Sequence, residues 1–301
     1  MIKKITVTNH LGEYKEFELA RPEKSGFIVE KIDGLGPVKA NILTTEVATT
    51  DGSQYNSARA TPRNILLRLR FLMNPTVEDI RQETYKYFPL KKRIKLTIET
   101  DNRISEVYGY VESNEPQIFE ENEYTTISLI CPDSYLQSIT ETLIPLSNIT
   151  PLFEFPFSNE SLNEKLIIIS SLENKTRTTI TYNGDSEVGM QISIHILGLV
   201  KMITMYLINK RQEMKIDTNK LRDIIGRDLQ KGDEIIINTN KGYKSIQLFA
   251  NGESTNILNC LDKHTNWFQL SKGNNEFSYV AEEGESLMNF AISFRNIYEG
   301  V

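Results

Sequence analysis

The chain has 301 residues, with Lys+Arg 34 against Asp+Glu 40 and a formal net charge of -6. That balance argues against sequence-independent binding to nucleic acid, which needs a basic surface, and the length suggests two domains, each large enough for its own core. No run of about 18 apolar residues is present to cross a bilayer as a helix. The first residues, Met1 to Val7, alternate like a strand and lack the apolar stretch of a secretory leader, so synthesis and first folding are expected in a cytoplasm.

Strand signals lead the first half. Between Ile65 and Leu72, Leu67, Leu69 and Phe71 alternate with Arg68 and Arg70, and Ile94, Leu96 and Ile98 alternate with Lys95, Thr97 and Glu99. Val107 to Val111 and Thr125 to Ile130 add further β-rich stretches. Asp33-Gly34 and Asp51-Gly52 carry the chemistry of tight reversals with positive φ, and Gly34-Leu35-Gly36-Pro37 reads as a rigid turn between strands. One helix interrupts: after Asn74-Pro75-Thr76, the residues Val77, Ile80, Thr84, Tyr87 and Phe88 share one side at a 3.6-residue period. Thr76 with Asp79 makes a variant capping box, and Pro89 stops the helix.

From Leu143 to Phe157, Pro145, Pro151 and Pro156 are set among apolar residues, which block helix and ladder and place the expected domain crossing here. Strands resume at Lys165 to Ser170, Arg177 to Tyr182, Met190 to Leu197, Met202 to Ile208, Glu234 to Asn238, Ser245 to Ala250, Phe277 to Val280 and Met288 to Phe294. Turn signals recur at Asn183-Gly184-Asp185, Lys231-Gly232-Asp233 and Asn240-Lys241-Gly242, and Leu221 to Ile225 reads as a helical turn. The expected organisation is mostly β: residues 1–142 as one sandwich-type domain with a helix, 143–164 as a proline-containing connector, and 165–301 as a second sandwich or jelly roll.

Chemistry-bearing clusters are sparse. His10, His195 and His264 stand far apart, no zinc spacing occurs, and no GxSxG, Walker loop or complete GxGxxG is present, so no metal, cofactor or catalytic residue is expected. Cys131 and Cys260 stand alone and read as buried thiols. Asn148, Asn159 and Asn174 head glycosylation sequons that mean little without a secretory signal. Glu112, Glu115, Glu120, Glu121 and Glu123 crowd one segment around Pro116; they suit a solvated acidic loop better than a glycosidase pair. Trp267, the only tryptophan, is a candidate for stacking on a sugar ring, against the plainer reading of a core aromatic.

In order along the chain, Ile32 to Ala40, Asp51-Gly52-Ser53-Gln54-Tyr55, Arg63-Asn64-Ile65, Val77 to Arg81, Tyr87-Phe88-Pro89, Ile98 to Asp101, Gly109 to Pro116 and Ile127 to Asp133 resemble the N-terminal domain of siphophage distal tail proteins. Phe153-Glu154-Phe155-Pro156-Phe157 resembles that family's crossing into its second domain, and Gly232 to Thr239, Trp267-Phe268-Gln269-Leu270 and Tyr298-Glu299-Gly300-Val301 extend the likeness to the end. The resemblance implies a non-enzymatic component of the virion tail tip: a hexameric ring formed by the N-terminal belt domains, with galectin-like C-terminal domains projecting outward. The implied partners are further copies of the chain, the tail tube protein, the tail-tip or tail-associated lysin protein and receptor-binding components, with DNA passing through the lumen. Glu112, Glu115, Glu120, Glu121 and Glu123 are then candidates for lumen-facing carboxylates that repel DNA. Competing readings are a cell-wall carbohydrate-binding module, the equivalent component of a contractile tail or phage-derived bacteriocin, and, with least support, a wall-degrading tail enzyme.

Overall fold

A computed structural model describes residues 1–46, 48, 51–72, 76–151 and 170–301, and they form two compact units: residues 1–139 with 297–301, and residues 140–296. The fold is mostly β, as the alternation predicts. No helix among the described residues is long and apolar enough to cross a membrane.

The first unit contains β1 (Ile2–Thr8), β2 (Tyr14–Glu18), β3 (Phe27–Asp33), β4 (Ala40–Glu46), β5 (Ser53–Ala60), β6 (Arg63–Phe71), α1 (Val77–Tyr87), β7 (Arg93–Thr100), β8 (Ile104–Gln117), β9 (Tyr124–Cys131) and β10 (Leu136–Ser138). Its main sheet runs in the order β2-β1-β7-β8-β9-β6-β3, every neighbour antiparallel. Period-two alternation decides which face is dry: on β6, Ile65, Leu67, Leu69 and Phe71 are buried while Asn64 and Leu66 are exposed. Each such side chain removed from water contributes about 1.5–3 kcal/mol. The two ends of the sheet meet through Phe17 of β2 and Phe27 of β3, ring centroids 5.4 Å apart, so the sheet curls around its own core.

Helix α1 covers that core as its periodicity requires. Ile80 and Thr84 are buried, Val77 and Tyr87 pack against the core partly exposed, and the Phe88 ring stacks on Phe17 at 6.3 Å. The Thr76 hydroxyl oxygen accepts from the Asp79 N–H at 3.2 Å and donates to the Asp79 carboxylate at 2.6 Å, the expected cap. Asn114 donates to Thr84 at 3.2 Å and accepts from Thr125 at 2.6 Å, so the polar groups beneath the helix are paired.

The second unit contains β11 (Thr142–Pro145), β12 (Ser147–Pro151), β13 (Ser170–Asn174), β14 (Arg177–Tyr182), β15 (Gln191–Ile196), β16 (Lys201–Leu207), β17 (Gln212–Ile216), α2 (Leu221–Ile225), β18 (Glu234–Asn238), β19 (Ser245–Ala250), β20 (Glu253–Asn256), β21 (Gly273–Glu283) and β22 (Met288–Phe294). A six-stranded sheet, β11-β22-β15-β18-β19-β20, and a four-stranded sheet, β14-β21-β16-β17, make the layers; β12 and β13 pair separately. Aromatic contacts join the two sheets: Tyr279 of β21 stacks on Phe290 of β22 with centroids 3.8 Å apart, and Tyr182 of β14 meets Phe294 at 5.8 Å. This is a sandwich with its core between the layers.

The domain boundaries differ from the sequence expectation of 1–142, 143–164 and 165–301. The first unit closes at Ile139, and Thr142–Pro145 is an edge strand of the second unit, where proline is tolerated because no ladder donor is needed outward. The larger difference lies at the C-terminus. The last strand, β23 (Ile297–Tyr298), pairs with β10 in the first unit, so the second unit is an insertion between β10 and β23. The anticipated crossing at Phe153 to Phe157, the sequon at Asn159, most of the strand from Lys165 and the Asn74-Pro75 lead into α1 lie outside the described residues.

One side chain locks that closure. Arg63 is only 1% exposed, and its guanidinium donates to the carbonyls of Gly34, Gly36 (2.8 Å), Ser134 (2.9 Å) and Glu299 (2.7 Å). Burial pushes its pKa below the ordinary arginine value. Gly34 makes the approach possible: its φ is +84°, and a Cβ there would lie 2.0 Å from the Asn64 carbonyl oxygen. Arg103 adds a bond to the Gly300 carbonyl at 3.2 Å and lies over the Tyr298 ring at 4.2 Å. Replacing Arg63 by Met strands four carbonyls, so Arg63→Met is expected to destabilise the first unit by about 3–5 kcal/mol, with Arg63→Lys intermediate. Urea unfolding followed by circular dichroism measures both variants; an unshifted first-unit transition in Arg63→Met would refute the lock.

The second unit has its own buried charge. Burial alone would raise the Asp233 carboxyl, but the Arg227 guanidinium, bonded at 2.7 and 2.9 Å, and the Gln230 N–H hold it below the usual carboxylate range. A depressed folded-state pKa contributes stability present above the unfolded value and lost as pH falls through the folded one. Asp233→Asn is therefore expected to cost about 1.5–3 kcal/mol at neutral pH. The gap to the native chain should close in acid below about pH 4. Urea midpoints across pH measure this, and a gap that stays constant into acid would contradict it.

Candidate assembly surfaces

The five acidic residues do not form one wall. Glu112 and Glu115 lie on β8 on the sheet face away from α1, where the Glu112 carboxylate accepts from the Ser128 hydroxyl at 2.7 Å. The ladder Glu115–Thr126–Arg68 puts a cation on that same face, and Arg68 and Arg70 both reach Glu30, at 3.1 and 3.4 Å. Glu120 and Glu121 sit in the loop between β8 and β9, and Glu123 leads into β9, its carbonyl accepting from Phe71. Just before Glu120, Phe119 is 98% exposed, with Ile118 beside it. The segment is thus a mixed-charge sheet face running into an apolar loop tip flanked by carboxylates.

Trp267 is half-buried next to the fully buried Phe268. Lys244 places its ammonium 5.4 Å from the Trp267 ring centroid, a cation–π contact that already occupies part of the indole surface. Asn266 is engaged with the backbone of Glu213, donating its N–H at 2.8 Å and accepting through its side chain at 3.4 Å. His264 lies exposed in a turn capped by the Asp262 carboxylate. Among the described residues, no three His, Cys, Asp or Glu side chains come together as a metal site. Cys131 and Cys260 are buried and free, and burial pushes the Cys131 thiol up to about 11.

Sequence reasoning passed over the most exposed element of the first unit. Strands β4 and β5 pair only with each other, and every residue of both strands is exposed. At the root of this hairpin a cleft of about 310 Å³ is lined by Pro37, Val38, Ala40, Ala58, Ala60 and Tyr135, among others. The Asp51-Gly52 reversal pointed at the turn, but the flanking strands are too rich in Thr, Ser, Asn and Gln to show alternation.

Residues 200–298 match the family described as siphovirus-type tail component, C-terminal domain. Across nearly the whole molecule the backbone also follows a solved structure, SPP1 Dit, reported as a paradigm of the hub adsorption apparatus in phages that infect Gram-positive bacteria: TM-score 0.63, 12% identity, 97% of this chain and 98% of that one. The chain has the fold of a siphophage distal tail protein. Chains of the phage P2 baseplate in its activated conformation, with Ca and with Sr, show weaker likeness, both at TM-score 0.46, with 13% and 12% identity over 97% and 98% of this chain and 98% of theirs. No curated protein matches. The resemblance read from the ordered motifs is borne out, and the matched region of the family model ends on Tyr298, in the strand that returns to the first unit.

As the sole tryptophan, Trp267 reports on the second unit alone. Lys244→Ala should lower the urea midpoint of its fluorescence transition by the equivalent of about 0.5–1 kcal/mol, the worth of an exposed cation–π contact. A variant with native midpoint and emission would show that the ammonium contributes nothing to the indole's environment.

Proposed function

We propose that this chain is a non-catalytic structural component of a phage tail tip, a hub ring to which tail tube and tip components attach. One observation carries this reading: a tail-component family match lies in a chain whose full length follows the distal tail protein fold. The physical arrangement supports it. Two independently cored β units suit a scaffold in which one unit assembles and the other presents a surface, and an extended exposed hairpin is a liability for an isolated protein but useful in an assembly. In this reading the first unit forms the ring, by a heterologous contact that closes. The resemblance implies six copies in the ring. The second unit is the platform for receptor-binding or side components. Assembly takes place in the host cytoplasm and the finished location is the virion tail tip.

Two measurements test this. Light scattering of the chain, alone and mixed with the tail tube and tail-tip proteins, should give a closed oligomer of about six copies, the count the resemblance implies. Antibody against the second unit should label one end of the tail in intact particles made by the host that encodes the chain. A chain that stays monomeric with every partner, or particles without label at the tail end, would overturn the proposal.

A further inference from the structure

We propose that the outward face of the six-stranded sheet in the second unit binds a neutral glycan, with His195, Glu234, Gln247 and Phe249 at its centre. This inference goes beyond the scaffold reading and does not depend on ring formation. The register builds the face. Asn289, His195, Glu234, Phe249 and Ser254 lie opposite one another across five adjacent strands, and Ala291, Ser193, Ile236, Gln247 and Asn256 form the next row. Their strand neighbours Ile192, Ile194, Ile235, Ile237, Leu248 and Phe290 are buried in the core, so both rows project outward. At about 4.8 Å between strands, each row spans roughly 19 Å, the length of a short oligosaccharide.

Two features separate this face from an ordinary solvated one. The first is charge. Glu234 is the only formally charged residue in the two rows, in a chain whose charged content is 25%. The outward face of the four-stranded sheet, on the other side of the same sandwich, carries Arg177, Glu213, Lys215 and Glu276, with Arg177 and Glu276 paired. The second is hydrogen-bonding capacity that the fold does not use. Ser193, His195, Glu234, Gln247 and Asn289 make no side-chain hydrogen bond or ion pair among the described residues, and the Asn289 carboxamide oxygen is buried without a partner. Elsewhere in this unit such groups are taken: Asn266, Gln269 and Asn275 all bond to backbone.

These features select the ligand. Nucleic acid and other anionic polymers need cations, which the two rows lack. The centre of a protein interface is rich in aromatics, Met and Arg and poor in serine, whereas these rows hold Ser193, Ser254 and a single aromatic ring. Amide, hydroxyl and imidazole groups both donate and accept, as sugar hydroxyls do, and the Glu234 carboxylate accepts from two neighbouring hydroxyls at once. Phe249, 36% exposed and opposite Glu234, offers an electron-rich ring face to the C–H side of a pyranose. Trp267 belongs to neither row, so the face does not rest on the indole that Lys244 partly covers.

The test uses the full chain on an array of neutral oligosaccharides of glucose, galactose, rhamnose and N-acetylhexosamines, with heparin as an anionic control. Calorimetric titration of the tightest binder follows. The native chain should bind at least one neutral oligosaccharide. His195→Ala with Glu234→Ala, and separately Gln247→Ala with Phe249→Ala, should each weaken that binding by about tenfold or more. Thr179→Ala with Ser278→Ala, on the outward face of the other sheet, should leave it unchanged. None of these side chains enters the core, so circular dichroism and thermal midpoints should remain native. A native chain that binds no neutral oligosaccharide, or binds heparin alone, overturns the proposal. So does native affinity in either row variant, or a loss confined to Trp267→Ala, which would put the sugar on the indole instead. Each of these failures leaves the tail-tip reading standing, because that reading needs no sugar.

Discussion

The guanidinium of Arg63 is held away from water by peptide carbonyls, with no carboxylate among the partners described for it. Taking such a charge out of water costs several kcal/mol, and only a full set of well-directed acceptors offsets that. The acceptors come from the turn after β3, the turn after β9 and the last residues of the chain, segments separated by as many as 236 positions from Arg63. The interaction is therefore favourable only when all of them are in place. Lysine could supply three donors from a single point, whereas the planar fork of arginine spans carbonyls on different segments. The closure of the first unit, the return of β23 and the root of the β4–β5 hairpin all depend on this one group.

Legibility from sequence followed burial. Strands β6, β7, β9, β14, β19 and β22 show their alternation or apolar runs because one face of each is dry. Helix α1 shows both its stripe and its cap. The hairpin does not, because a segment exposed on both sides in the single chain has no reason to alternate strictly. Arg63 was legible only as an ordinary cation in a strand, since nothing in a linear sequence says that four carbonyls will converge on it. The return of Ile297–Tyr298 was hidden for a related reason: a two-residue strand has no period, and its partner lies far back in the chain.

The acidic segment and Trp267 show the reverse, in which composition promised more uniformity than geometry delivers. Glu112 and Glu115 share their face with Arg68 and Arg70 because the strands alternate in register, whatever their spacing in sequence. Asn266, the neighbour of the sugar-stacking candidate Trp267, is occupied by the backbone of Glu213. In both places hydrogen-bond satisfaction within the fold takes up groups that a linear reading leaves available.

The insertion of the second unit between β10 and β23 has a mechanical consequence. The backbone passes between the two units twice, at Ile139–Thr140 and at Asn296–Ile297, so tension carried along the chain is divided between two covalent crossings. Each strand bears only part of the tension, and a break in either backbone leaves the other carrying the unit. A tether made of one linker would part at a single cut and would transmit every pull to one point. Here the outgoing strand is anchored by β8 and the returning strand by the carbonyl bonds to Arg63 and Arg103, so load spreads into the sheet before it can strain either crossing.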